Sequence, residues 1–285
     1  MNEAVIAIVC DFDETLGIDT ITYLLTENNV SQEEYWKEVA ALVKKSWDPP
    51  LAYMYLLMEY AKQGKIDISE AALRKLGKKL PLFPGLPTAL SQLHAYVKTE
   101  PFLKETKVKL EFFIISGGLE DMIRGSSLAQ EADAIFGSSF AYDPKTKEAT
   151  AIKSAISFTE KTRFLFGINK GLREQQLREN PYQINKVMPQ KDRKIPFSQM
   201  IYIGDGPSDV PSLSALLQYG GTGIGVVSPH DTFKRGYELA KGKRITVGPY
   251  TANYKKGSDM RKVLEETILR MGLEIAEQKR KHAPK

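Results

Sequence analysis

In the stretch AIVCDFDETLG, Asp11 and Asp13 stand one residue apart directly after the apolar run Val5 to Cys10. Two carboxylates that close repel each other and need compensation. Further along, VKLEFFIIS ends on Ser116, followed by Gly117 and Gly118. TEKTRF supplies Lys161, and FSQMIYIGD ends on Asp205, with Asp209 four residues later. The acids suit a hard divalent cation such as Mg²⁺, which prefers carboxylate oxygens and water. The hydroxyl, the loop N–H groups and the ammonium suit the oxygens of a phosphoryl group. A metal and a phosphate together would account for the whole set.

The elements that must position these residues are legible from the apolar runs. AVIAIVC, VKLEFFIIS and FSQMIYIGD are short, near-continuous and β-branched or aromatic, and a helical pattern follows each. Runs of this kind suit strands of a parallel sheet covered on both faces, whose ligands bind at the carboxyl ends. The fold class predicted is α/β. Residues 16–83 carry helical spacing with no strand pattern, and helix starts are marked by Ser31 with Glu34, by Pro49-Pro50 and by Ser69. They form a helical insert placed just after the first strand. The chain returns at LFPGLP (82–87) and opens a helix over 86–98. A helix is expected over GGLEDMIRGSSLAQ, a hairpin around Asp143-Pro144, a helix over TEKTRFLFGINKGL and a polar, loop-like stretch with room for one short helix over 172–199. GTGIGVV reads as a strand and its turn rather than a dinucleotide loop. A helix follows over DTFKRGYELAKG, and a last one starts at Asp259.

Composition excludes several classes. The 285 residues are 42% hydrophobic and 26% charged, ordinary for a globular protein able to bury a core without staples. The net charge of +5 draws on the terminal QKRKHAPK, read as a solvated tail, so no nucleic acid or membrane is expected as a partner. The one cysteine, Cys10, excludes an internal disulfide and fits a core strand in a reducing cytoplasm. No secretory leader and no apolar run of about 18 residues is visible. His94, His230 and His282 are scattered and form no zinc set.

DFDETL, FFIISGG, the lysine of TEKTRF and YIGDGPSD, in that order, resemble the four motifs of the haloacid dehalogenase superfamily. The resemblance covers residues 1–15 and 84–250, a Rossmann-like core. The insert 16–83 sits where that superfamily places a helical cap, which points to its phosphoserine-phosphatase-like branch. Residues 251–285 add a C-terminal helix and the basic tail. The resemblance implies a Mg²⁺-dependent phosphomonoester hydrolase acting on a small phosphorylated metabolite. Asp11 would be the nucleophile, and Asp13 the acid that protonates the leaving oxygen and then the base that deprotonates water. Asp11, the Asp13 carbonyl, Asp205 and Asp209 would hold the metal, and Ser116, Gly117 and Lys161 the phosphoryl oxygens. Lys153 and Lys170 lie near enough in sequence to compete for the lysine role.

Asp13 argues against a dehalogenase, which has no use for a second acid, and the missing spans argue against a P-type ATPase. A non-catalytic phosphate-binding or scaffold protein on this fold would be expected to lose one of these acids, and none is lost. The insert, with nine basic and nine acidic residues, has no net field to identify a substrate. Asp19 and Glu27 are candidate carboxylates there, and Tyr23, Trp47, Tyr53 and Arg74 candidate substrate contacts. Gly17 and Gly85 flank it as possible hinges.

Overall fold

Strand β1 (Ala4–Cys10) turns Ile6, Ile8 and Cys10 to one side and Val5, Ala7 and Val9 to the other, all of them buried. Side chains alternate along a strand, so a strand apolar at every position needs cover on both faces. The computed structural model, which describes residues 4–230 and 233–281, supplies it. Among the described residues the sheet has seven strands: β1, β2 (Val108–Leu119), β3 (Ala134–Tyr142), β4 (Ala149–Ser154), β5 (Met200–Gly204), β6 (Thr222–Val227) and β7 (Val247–Thr251). Their order across the sheet is β4-β3-β2-β1-β5-β6-β7. Every pairing is parallel except β3 with β4, the hairpin expected around Asp143-Pro144. The register sets the site: Cys10 lies opposite Ile114 on one side and Ile203 on the other. Asp11 and Asp205 therefore emerge just past the ends of β1 and β5, with Ser116 of β2 on the neighbouring strand at the same end.

Four inserted helices follow β1: α1 (Thr20–Glu27), α2 (Gln32–Val43), α3 (Pro49–Lys62) and α4 (Glu70–Gly77). Each has a side-chain cap, from Asp19, Ser31, Asp48 and Ser69 in turn, accepting an N–H of the first turn. Helices α5 (Thr88–Thr99), α6 (Pro101–Thr106), α7 (Glu120–Gly125), α8 (Phe158–Asn169), α9 (Glu174–Glu179), α10 (Val210–Gln218), α11 (Lys234–Lys241) and α12 (Asp259–Lys281) complete the order. Leu90 and Leu93 of α5 and Ile268 and Met271 of α12 pack with Ile6, Ile8 and Ile114 on one face, and the apolar residues of the insert join that cluster. Phe164 and Leu165 of α8 and Leu213 and Leu216 of α10 cover the other face with Val9 and Tyr202.

The insert is tied to the sheet at three places. Gly77 of α4 and Gly125 of α7 meet backbone to backbone: a Cβ on Gly77 would lie 2.1 Å from the Met122 carbonyl oxygen, and one on Gly125 2.3 Å from that of Arg74. The two junction segments pair with each other, Phe83 N–H donating to the Leu16 carbonyl at 2.8 Å and Ile18 N–H to that of Pro81 at 3.3 Å. Tyr254, just before α12, pins both: its N–H donates to the Pro84 carbonyl at 2.7 Å and its hydroxyl to that of Thr15 at 2.8 Å.

Several boundaries differ from the sequence reading. Strand β2 runs past Ser116 to Leu119, so the following helix shrinks to Glu120–Gly125 with a 3₁₀ turn over Ser127–Gln130. The polar stretch after α8 holds α9 and three 3₁₀ turns. Arg178 of α9 ties it down, reaching both Glu120 oxygens and the Ile135 carbonyl, each at 2.9 Å. Strand β7 was not expected; it contains Pro249, which is tolerated because β7 lies at the sheet edge. The final helix begins at Asp259 as expected but packs on the core, with Arg261 buried and donating to the Ala89 carbonyl at 3.0 Å. The expected helix over 231–242 begins, and the tail with His282 ends, outside the described residues.

Candidate active site

Asp11 follows the last residue of β1 and is buried. Its Oδ1 accepts the Phe12 N–H at 2.7 Å and its Oδ2 accepts from Lys161 Nζ at 2.6 Å. Lys161, in the first turn of α8, is 1% exposed and also donates to Asp209 Oδ1 at 2.8 Å and Ser208 Oγ at 3.2 Å. A buried ammonium persists only when paired. Here burial works to lower the Lys161 pKa, but Asp11 and Asp209 outweigh it and raise it, so the side chain stays charged. Burial pushes the Asp11 carboxyl up to about 6, with Lys161 pulling it down and Asp209 pushing it up. Of the candidate lysines, the structure brings Lys161 to the acids; Lys170 instead donates to the Ile184 and Lys186 carbonyls.

Asp209 is fully buried, and its Oδ1 also accepts the Tyr202 hydroxyl at 2.8 Å. Oxygens of Asp11, Asp205 and Asp209 converge within 4.8 Å of one another. Three carboxylates gathered this closely, two of them paired with Lys161, form a hard oxygen donor set, which fits a divalent cation such as Mg²⁺. The Asp13 side chain lies outside that group and is held otherwise. Its Oδ1 accepts the Thr20 N–H at 2.8 Å, and Ser116 Oγ–H donates to its Oδ2 at 3.3 Å. Burial first, then the charges of Asp19 and Asp11, raise its pKa well above the usual carboxylate range.

The end of β2 is shaped around Asp13. Ser116 Oγ accepts the Gly118 N–H at 3.0 Å, and the Gly117 carbonyl accepts the hydroxyls of Tyr53 at 2.7 Å and Ser138 at 2.8 Å. A Cβ on Gly118 would lie 2.2 Å from Asp13 Oδ2 and 2.5 Å from Thr20 Oγ1, which is why a second glycine follows Ser116. Glu14 has φ +56, unusual for a residue with a Cβ, and its N–H donates to the Gly17 carbonyl at 2.8 Å in the turn towards α1.

These groups open on a cavity of about 430 Å³, lined by Asp11, Asp13, Gly117, Lys161 and Asp205 at one end and by side chains of the insert at the other. Among the proposed insert contacts, Tyr53 lines it. Arg74 pairs with Glu70 and Asp121 instead, and Trp47 packs on Tyr55. Tyr23 donates to the Lys79 carbonyl at 3.4 Å. Asp19 lines the cavity, as do Glu14 and Trp36, which the sequence reading passed over. Thr20, Ser138 and Tyr202 were also missed. Thr20 alone left a signal, following an aspartate at a helix start; the other two lie in strands as ordinary members.

No protein-family model matches the chain. An uncharacterized protein of Borreliella burgdorferi (strain ATCC 35210) is 28% identical over 293 residues, covering 94% of this chain and 98% of that one. Among solved structures, a phospho-aspartyl intermediate analogue of phosphoserine phosphatase superposes with a TM-score of 0.54 at 14% identity, covering 93% of this chain and 99% of that one. A HAD family hydrolase from Salmonella enterica serovar Typhi aligns at 18% identity and a TM-score of 0.40, and the chain spans 62% of its length. The chain shares the fold of that phosphoserine phosphatase.

Proposed function

We propose that the chain is a phosphatase, a Mg²⁺-dependent phosphomonoester hydrolase that works through an aspartyl-phosphate on Asp11. The observation that carries this reading is the division of labour between two acids at one cavity mouth. Asp11 is ion-paired with Lys161 and sits among the cation-binding carboxylates, while Asp13 is set apart with its proton affinity raised. Asp11 would attack phosphorus, forming an O–P bond as the ester P–O bond breaks. Asp13 would give its proton to the departing alkoxide, then take one from the water that displaces Asp11 from phosphorus. Ser116, the Gly117 amide and Lys161 would face the phosphoryl oxygens where charge develops. A divalent cation held by Asp11, Asp205, Asp209 and the Asp13 carbonyl would supply charge neutralisation for the carboxylates and the phosphate. The substrate would be a small phosphorylated molecule, since the cavity of about 430 Å³ is small.

The test is Mg²⁺-dependent release of phosphate from phenyl phosphate, with Asp11→Asn as control. The amide has nearly the shape of the carboxylate but is a poor nucleophile, so turnover is expected to vanish while the circular dichroism spectrum is retained. A pure Asp11→Asn protein that keeps most of its turnover would overturn the mechanism.

A further inference from the structure

The part of the cavity beyond the phosphoryl end selects by charge. Five of its lining side chains are carboxylates (Asp11, Asp13, Glu14, Asp19 and Asp205), and the one basic side chain among the lining residues is Lys161. Lys161 is committed to Asp11 and Asp209 at 2.6 and 2.8 Å, at the phosphoryl end. A divalent cation would offset Asp11 and Asp205, which belong to its donor set. Asp13 is the acid that carries the proton in the mechanism above, so Glu14 and Asp19 remain, and their surroundings fix them. Glu14 Oε1 accepts the Asp19 N–H at 3.1 Å, and Asp19 Oδ1 accepts the Thr22 N–H at 2.6 Å as the cap of α1. The Thr22 hydroxyl and the Ile21 N–H also donate to Asp19, so what it offers the cavity is its charge rather than a further hydrogen bond.

Facing them are aromatic rings. Trp36 and Tyr53 line the same space and meet edge to face, with centroids 6.2 Å apart. Tyr53 is anchored by its hydroxyl on the Gly117 carbonyl. Carboxylates beside tryptophan and tyrosine attract an ammonium through charge and through the ring quadrupole. The same pair of acids repels a carboxylate, and no described basic side chain in the cavity is placed to receive one; Arg74, the arginine of the insert, is paired with Glu70 and Asp121 instead.

From this juxtaposition of Glu14 and Asp19 with Trp36 and Tyr53, and resting on the phosphatase reading above, we infer that the substrate is the phosphomonoester of an amino alcohol: a cationic head with no carboxylate. The phosphate lies at the Asp11 end, and the ammonium lies against α1 and the Trp36–Tyr53 pair.

Three esters with Mg²⁺ present separate the possibilities: phosphocholine (cationic head), phenyl phosphate (neutral) and O-phosphoserine (ammonium plus carboxylate). The expected kcat/KM for phosphocholine exceeds that for O-phosphoserine by about tenfold or more, the scale of one close like-charge contact at a partly solvated site. Asp19→Asn keeps a cap on α1 and removes the charge. It is expected to shrink the phosphocholine to phenyl phosphate ratio several-fold, and Trp36→Leu to do the same. O-phosphoserine turned over as well as phosphocholine, or a ratio that neither substitution moves, would overturn the inference. If no ester is hydrolysed, phenyl phosphate included, the phosphatase reading itself fails. Calorimetric binding of the same three esters to the unaltered protein then decides the inference: tighter binding of phosphocholine sustains it, and equal or reversed ranking overturns it.

Discussion

Asp13 has a side chain held by two contacts, from Thr20 and Ser116, and a proton affinity raised by burial and by Asp19 and Asp11. If it serves as acid and then base, Asp13→Asn should lower turnover by roughly 10²–10⁴-fold, the usual range for losing such a group. Because its carboxylate stands outside the convergent acids, calorimetry should show Mg²⁺ affinity little changed; a variant that no longer binds Mg²⁺ would reassign Asp13 as a ligand. Gly118 supplies an independent probe. The 2.2 Å approach that a Cβ would make to Asp13 Oδ2 means that Gly118→Ala must displace the carboxylate. Its loss of turnover should approach that of Asp13→Asn, and the double variant should be little worse than either single one, since both act through one group. Additive losses would place the effect of Gly118 elsewhere.

Helix α4 carries the docking of the insert. Its backbone contact with α7 leaves no room for a larger residue at Gly77 or Gly125. Gly77→Leu should destabilise by about 1–3 kcal/mol, the range for overpacking a tight contact, read as a lowered midpoint in urea. An unchanged midpoint would show that the crossing relaxes freely. Tyr254 acts on the other side of the insert. Tyr254→Phe removes the bond to the Thr15 carbonyl and leaves that buried acceptor unpaired, a cost of about 1–3 kcal/mol. The hinge expected at Gly17 and Gly85 meets these same contacts. A Cβ on Gly85 would lie 2.4 Å from the Lys255 N, and Gly17 is paired with Leu82. If the insert turns about these junctions, Tyr254→Phe should change KM for phosphoesters along with stability. A loss of stability with KM untouched would make the junction a fixed strut.

For the whole molecule, the convergence of Asp11, Asp205 and Asp209 at the edge of the sheet costs stability wherever the acids are not neutralised. A cation that binds the folded chain alone should therefore raise the melting temperature, by an amount equivalent to about 2.7 kcal/mol at a hundredfold excess over Kd. Asp205→Asn should abolish most of that gain, since it removes one of the three convergent carboxylates. Scanning calorimetry with Mg²⁺ and with chelator measures both. A full Mg²⁺-induced rise in the Asp205→Asn protein would show that Asp205 is not needed to hold the ion.

The sequence by itself determined the sheet and the acids at its edge. Continuous apolar runs can be satisfied only by cover on both faces, and residues that end such runs must gather where neighbouring strands end, so Asp11, Ser116 and Asp205 were legible together. Caps and helical spacing likewise revealed α1 to α4, because those signals are local. The motif TEKTRF favoured Lys161 over Lys153 and Lys170, but its burial between Asp11 and Asp209 comes only from the packing of α8 on the sheet. The tertiary structure alone decided that Tyr202 and Ser138 serve the site, since in a strand they are indistinguishable from core members. It set Arg74 on Glu70 and Asp121 and brought Glu14, Asp19, Trp36 and Tyr53 around one cavity. Those positions are fixed by how the inserted helices dock, through contacts between residues far apart in the chain, and no local pattern encodes them.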